Sequence, residues 1–381
     1  MLLPELKFGM TVTGNPGLLT FAAYLTTKPM SLQELLQLRM QLQQITNHSF
    51  QKPEALVTWM GAVQAQDYAM CQWALGLRLP GTTEKHIEEA FNNGRVLRTH
   101  VLRPTWHLVA PADIRWMLQL TAPRIQAYSA SYYRQSELDA ATFSKSNKVL
   151  EKVLRDNNHL SRTQLAAALN KAKINTEDLR LTHLLAYAEL EGLICSGARQ
   201  GKQVTYALLE ERVPPTPRLS KEESLAELAR RYFQSHGPAT INDFAWWSGL
   251  NKTEAKQGQQ LISNELTFIT LGKDELAFID KGIAPIKNND VFLLPNYDEY
   301  TVAYSDREVL MGKDATTMGR NGNPLFSNII LVNGKVEGTW KRTIKPKSVT
   351  VTTELFSTLP ATKQKQLQQR IGQYEQFLQQ Q

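Results

Sequence analysis

Val96-Leu97-Arg98-Thr99-His100-Val101, Leu102-Arg103-Pro104 and Thr105-Trp106-His107-Leu108-Val109 are the residues on whose reading the fold turns. Two β-rich runs meet around a short Arg-Pro turn, which predicts a hairpin. Just upstream, a helix over Glu84 to Phe91 stops at Asn92-Asn93-Gly94, where glycine readily takes the left-handed conformation that ends a helix. Before it, a helix opening at Pro53 turns Leu56, Met60 and Val63 inward. Leu35, Leu38, Leu42 and Ile45 recur at three- and four-residue spacing, one buried face of another helix. Three helices followed by a hairpin predict a winged helix-turn-helix unit, with the hairpin as its wing.

The pattern returns twice. Ser161 caps a helix over Leu160 to Leu165, a second helix covers Leu181 to Leu190, and Val204 to Leu209 returns as a strand after a loop over Cys195 to Gly201. Pro214, Pro215 and Pro217 mark a linker. A third copy follows: helices over Leu225 to Phe233, Thr240 to Trp247 and Lys252 to Ile262, then strands Leu266 to Leu271 and Leu276 to Ile279 turned by Gly272-Lys273-Asp274. From Val291 the chain changes to short strands, with Asn333-Gly334 as a hairpin turn after Asn328 to Val332 and a further strand over Ser348 to Thr353. A last glutamine-rich helix carries Leu367, Ile371, Tyr374 and Leu378 on one packing stripe. The expected division is an N-terminal extension (1–30), three winged-helix units (31–110, 111–213 and 218–284), a β domain (285–358) and a C-terminal helix (359–381). The fold class is α+β.

Charge is concentrated. The net charge of +7 is modest, yet Arg95 to Arg134 holds six arginines against Asp113 alone, and Arg307 to Lys347 holds eight Lys and Arg against three acids. Such patches favour an anionic partner. Arg98 and Arg103 on the first wing, and Lys341 and Arg342 after Trp340, are the expected phosphate contacts; such contacts give salt-dependent affinity and little sequence information. Cys71 and Cys195 can build neither a disulfide framework nor a zinc site, so no metal is expected and a reducing, cytoplasmic setting fits. The apolar run Leu18 to Leu25 is far shorter than the ~20 residues of a membrane span. No P-loop, dinucleotide fingerprint or nucleophile elbow occurs, so no cofactor is expected.

One short segment carries chemistry. Gly61-Ala62-Val63-Gln64-Ala65-Gln66-Asp67-Tyr68 resembles the active-site signature of the AlkZ-like winged-helix DNA glycosylases, a Gln, an aliphatic residue and a second Gln, here Gln64, Ala65 and Gln66. Arg98 to Val109 and Leu293-Leu294-Pro295-Asn296-Tyr297-Asp298-Glu299-Tyr300, with Ser305-Asp306-Arg307 beyond, extend the likeness to about residues 34–355. The related YcaQ type has Asp in place of the second Gln. The resemblance implies three tandem winged helices and a C-terminal β-barrel-like domain forming a concave surface for double-stranded DNA. It also implies that Gln64 and Gln66 are the catalytic residues of a monofunctional glycosylase, acting on alkylated bases or cross-links and leaving an abasic site. A monomer suffices for that. The competing reading is a winged-helix transcription regulator without catalysis.

A glutamine amide donates and accepts hydrogen bonds but is no base at neutral pH. Paired glutamines therefore suit a base that is already cationic, as N7- or N3-alkylation makes a purine, and that leaves without protonation; the enzyme positions water and stabilises an oxocarbenium. Residues two apart share a face only in extended chain, so the helix before Gln64 should bend or end there. Asp67 reads as a helix-end or turn residue first and a water-polarising base second, and Asp298 and Glu299 face the same choice. Asp306 and Arg307 read as an ion pair, His107 as packed against Trp106, and Trp246 and Trp247 as surface and core contacts of the third unit.

Overall fold

The computed structural model describes residues 30–282, 290–311, 327–345 and 348–379; the expected extension, apart from Met30, lies outside them. Helix α1 (Leu32–Leu42) begins with a capping box between Ser31 and Glu34. Pro53 occupies the first turn of α2 (Pro53–Met60), which stops at Gly61 with φ of 75°. The chain then runs extended through β1 (Val63–Gln64), and Asp67 caps α3 (Tyr68–Arg78) by accepting from the Ala69 and Met70 amides. After α4 (Glu84–Asn92) come β2 (Leu97–His100) and β3 (Trp106–Val109), and the three strands pair in the order β1-β3-β2.

Three points differ from the sequence reading of this first part. Val63, expected on the helix opened by Pro53, lies in β1 because that helix ends at Met60 and Gly61 turns the chain. Helix α3 carries no polar face, since every residue from Met70 to Arg78 is buried, and so it leaves no helical period to find. It takes a place the sequence reading gave to α1. Helix α1 instead packs Leu35 and Leu38 with Met30 against Ile269, Leu276 and Phe278, far along the chain. The hairpin is also interior: all four residues of β2 are buried, and the Arg98 amide donates to the Ser196 hydroxyl at 2.8 Å.

Helix α5 (Pro111–Gln135) leads to a second set: α6 (Ala140–Leu154), β4 (Leu160–Ser161), α7 (Arg162–Lys171) with a Ser161 capping box, α8 (Arg180–Leu190), β5 (Ile194–Ser196) and β6 (Thr205–Leu208). Its sheet again places the first short strand beside the last, β4-β6-β5. A short helix α9 (Leu209–Arg212) and the proline linker precede α10 (Lys221–Ser235), α11 (Ile241–Ser248), α12 (Lys252–Leu261), β7 (Thr267–Leu271) and β8 (Asp274–Phe278). Here Ala239 bridges Ala277 in the position of the short first strand. Helix, short extended segment, helix, helix, hairpin thus occurs three times, over 53–109, 140–208 and 221–278.

The last part comprises β9 (Val291–Leu294), the single turn α13 (Glu299–Val302), β10 (Asn328–Val332), β11 (Lys335–Lys345), β12 (Ser348–Leu355) and α14 (Ala361–Gln379). Asn333 and Gly334, with φ of 56° and 82°, turn β10 into β11 as an Asn-Gly hairpin does. The described strands form an antiparallel sheet ordered β12-β11-β10-β9, with β12 and β9 at its edges; among the described residues it is an open sheet and not a closed barrel. Tyr374 of α14 sits edge-on to both Trp73 and Trp340, each at 4.9 Å between ring centres. One core joins this sheet to the first repeat, a second joins the first hairpin to the third repeat, and the second repeat keeps its own.

Gly249 ends α11 with φ of 69°, and a methyl group there would lie 2.0 Å from the Leu102 carbonyl oxygen of the first hairpin. Gly81 has φ of 80° with open space around it. Gly249→Ala is expected to lower unfolding free energy by about 2–4 kcal/mol, combining left-handed strain with overpacking. Gly81→Ala should cost only the strain, about 1 kcal/mol. Urea unfolding of the two variants measures the difference; equal losses would remove the contact between hairpin and third repeat from the account of stability.

Candidate active site

Because α2 ends at Met60, as expected of a helix before Gln64, Gln64 lies in the extended strand β1 and Gln66 in a bend ahead of α3. Val63 pairs with Leu108 and Gln64 with His107, and the Ala65 amide donates to the Trp106 carbonyl at 2.7 Å. Val63 and Ala65 enter the first core, whereas the Gln64 side chain turns to Arg103. Gln64 is 8% exposed and Gln66 is open to solvent.

Four contacts hold this segment. The Gln64 amide N–H donates to Glu299 Oε1 at 2.6 Å, and Arg103 Nη2 donates to Gln64 Oε1 at 2.9 Å. Arg98 Nε donates to the Ala65 carbonyl at 2.9 Å while its guanidinium lies 4.3 Å over the Trp106 ring. Asp67 closes the segment as the cap of α3. A guanidinium only donates, so the Gln64 side chain must offer its oxygen to Arg103, and its NH2 is the end turned away from that partner.

The same argument fixes His107. Its Nδ1 lies 3.0 Å from the Thr105 carbonyl, which can only accept, so Nδ1 carries the proton and Nε2 faces Arg103 Nη2 at 3.4 Å as an acceptor. Burial, reinforced by the Arg103 charge, pushes the His107 pKa down to about 3. His107 is therefore a neutral support for Arg103. The ring packed against Trp106 is that of His100, at 4.5 Å, which corrects the expectation for His107.

Glu299 is the residue that sequence reasoning left undecided. Its side chain is fully buried; besides the Gln64 amide it accepts from Trp247 Nε1 at 3.0 Å, and His236 Nε2 stands 3.4 Å away. Burial by itself raises its pKa, but His236 and Arg103 outweigh that and hold it below the usual carboxylate range. Its neighbour Asp298 caps α13 and takes both terminal nitrogens of buried Arg78 at 2.8 Å. Two adjacent acids between tyrosines after an apolar strand were the only hint in the sequence, 235 residues from Gln64.

The expected phosphate contacts lie in two settings. Arg98 is buried and Arg103 half-buried, both turned to the Gln-Ala-Gln segment. Lys341 is exposed on a ribbon where β11 and β12 run on beyond β10, whose pairing stops at Trp340; Arg342 there donates to the Tyr374 hydroxyl at 2.7 Å. Asp306 and Arg307 are not paired with each other as expected: Asp306 accepts from the Glu308 amide at 2.9 Å, while Arg307 Nε donates to the Thr301 carbonyl at 2.9 Å. Trp247 is core and Trp246 is surface, as read. Among the described residues no group of three or more His, Cys, Asp or Glu could hold a metal, and no helix is long and apolar enough to cross a membrane.

Comparison with known proteins places these residues in context. The family profile "DNA glycosylase AlkZ-like" matches residues 57–377. An interstrand DNA cross-link repair glycosylase of Streptomyces sahachiroi is 22% identical over 324 residues, 80% of this chain and 85% of that protein. The solved structure of the Streptomyces sahachiroi DNA glycosylase AlkZ superposes with a TM-score of 0.74 at 19% identity, covering 91% of this chain and 96% of that one, which shows a shared fold.

Glu299→Gln would set an NH2 group against either the Gln64 amide or the Trp247 indole and remove the charge facing Arg103, so a stability loss of about 3 kcal/mol is expected in urea. A loss under about 1 kcal/mol would remove Glu299 from its place as the tie. His107 stays neutral while folded and gains a proton when unfolded below its usual range, so its contribution is present above about pH 6.5 and is lost as pH falls toward about 3. His107→Gln keeps an acceptor for Arg103. Between pH 7 and 5 the parent should lose about 2 kcal/mol more than this variant, read from paired unfolding curves.

Proposed function

The chain belongs to the AlkZ-like DNA glycosylase family, and on that premise we propose that it hydrolyses the N-glycosidic bond of cationic N-alkylated purines in double-stranded DNA, of the N7-alkylguanine type and including those within interstrand cross-links. The observation that carries the reading is the Gln64 side-chain amide, fixed by Arg103 two residues before the exposed Gln66. With its oxygen held by Arg103, Gln64 donates through NH2 to the oxygen of the attacking water, and Gln66 accepts one of the water's hydrogens through its amide oxygen. The C1′–N9 bond breaks with its electron pair passing to the already cationic base, which departs neutral. Water adds to C1′ of the oxocarbenium and releases its proton to solvent, leaving an abasic site.

The repeated helix-helix-hairpin sets are read as three winged helices, a scaffold suited to DNA. The first of them has turned its wing inward to build the site. Arg98 and Arg103 then act as positioning residues that hold the glutamines. The ribbon bearing Lys341 and Arg342 supplies phosphate contacts, with Ile344, 56% exposed, between them and its tip.

The test uses a duplex with one N7-methylguanine and alkali cleavage of the abasic product under single-turnover conditions. Gln64→Ala and Gln66→Ala should each lower the rate on the order of 100-fold. Full activity in both variants, or no scission above the spontaneous rate by the parent, would overturn the proposal. In parallel, Lys341→Ala should reduce the slope of log affinity against log salt by about one, whereas an unchanged slope would take Lys341 off the DNA surface.

A further inference from the structure

Trp246 and Trp247 are consecutive on α11 but serve opposite sides. Trp247 turns inward and donates to Glu299, behind Gln64. Trp246 is 47% exposed, yet its ring is not loose: Nε1 donates to the Val302 carbonyl at 2.9 Å. That same carbonyl lies 3.5 Å from Arg103 Nη1, whose other terminal nitrogen holds the Gln64 amide. The Arg307 guanidinium lies 5.1 Å from the Trp246 ring centre and is itself tied to Thr301. A large aromatic ring is thus held in one orientation at the edge of the candidate site, with a cation over one face and about half of its surface open.

A single exposed aromatic on a soluble protein needs no explanation by itself. Three features set this one apart: a fixed indole, its link through one carbonyl to the arginine that orients Gln64, and the adjoining cation. DNA carries ring systems of matching size, the nucleobases, on a polyanionic backbone, and a base face is offered to a side chain where a neighbouring base is unstacked. Indole stacking on a base requires no sequence readout and contributes substantially to affinity.

We propose that Trp246 stacks on a nucleobase of the bound DNA beside the base to be excised and so fixes the substrate against Gln64. This rests on the reading of the chain as a DNA-acting enzyme. Trp246 is a substrate-positioning residue here and takes no part in the bond change.

Two substitutions in the full chain separate stacking from the hydrogen bond. Trp246→Phe and Trp246→Leu both delete the bond to Val302, but only Phe keeps an aromatic face. Binding to a fluorescein-labelled duplex carrying N7-methylguanine is followed by anisotropy, with single-turnover excision measured in parallel. Trp246→Leu is expected to bind on the order of tenfold more weakly and Trp246→Phe within about threefold of the parent, the saturated excision rate changing less than affinity. Titration with unlabelled duplex should also quench a part of the tryptophan fluorescence that Trp246→Phe lacks. Equal weakening in both variants would assign Trp246 to holding Val302, and unchanged binding in both would leave it as plain surface; either overturns the proposal. If the parent excises nothing but the Phe and Leu variants still differ in binding, stacking stands and the glycosylase reading falls. If the parent excises normally and the two variants bind alike, the reverse holds.

Discussion

A fully buried carboxylate, Glu299, is the constraint on which the site depends. An ionised carboxylate without partners in a protein interior is costly by many kcal/mol, so its position is set by whatever can donate to it. The donors come from distant parts of the chain: the Gln64 amide from the first repeat, the Trp247 indole from the third, with His236 alongside. Glu299 itself belongs to the single turn α13 after β9, and that turn is anchored by the doubly bonded pair of Asp298 and Arg78. Three regions, the first more than 150 residues from the other two and those about 50 residues apart, must come together for these groups to be satisfied, and the segment bearing the two glutamines is formed where they meet.

The first hairpin shows what that convergence does to charge. Arginines on a hairpin at the surface would be expected to reach phosphate, and here Arg98 and Arg103 turn to the Gln-Ala-Gln segment. The reason is local: β2 is covered by the second repeat and the Leu102 carbonyl by Gly249 of the third, so the hairpin has little solvent to offer its side chains. Inside, a guanidinium needs acceptors and anions. Arg98 finds the Ala65 carbonyl and the face of Trp106, and Arg103 finds the Gln64 oxygen, His107 and the field of Glu299. Positive charge on this hairpin thus meets a backbone carbonyl and the uncharged amide of Gln64.

What the sequence disclosed was local and what it hid was not. The cap at Ser161 and the Asn333-Gly334 turn follow from interactions within a few residues, and the structure shows both. Helix α3 was hidden because burial on all sides erases the period by which a helix is recognised, and the pairing of α1 with residues near 270 is a long-range contact without a local mark. Gln64 could be found from a short pattern. The tie from Glu299 to it could not, because the partner is an amide N–H, a group every residue but proline possesses. The direction of Arg98 and Arg103 was equally illegible, since charge patterning gives the sign of a surface and not which side of a strand is covered.

The chemistry open to such a site follows from the protonation states around Gln64. His107 is held neutral by burial, with its proton committed to a backbone carbonyl. Arg103 and Glu299 are ions whose mutual attraction favours both charged forms, and both Glu299 oxygens already accept hydrogen bonds from Gln64 and Trp247. No group touching Gln64 exchanges a proton readily near neutral pH, so neither protonation of a leaving base nor deprotonation of water by a dedicated base is provided there. An uncharged purine needs such help to leave deoxyribose, whereas an alkylated cationic purine carries its own driving force. On the proposed reading, two amides, one of them clamped by an arginine, would select a substrate through what they lack, and the clamp on Gln64 would make its contribution that of a fixed dipole instead of a proton carrier.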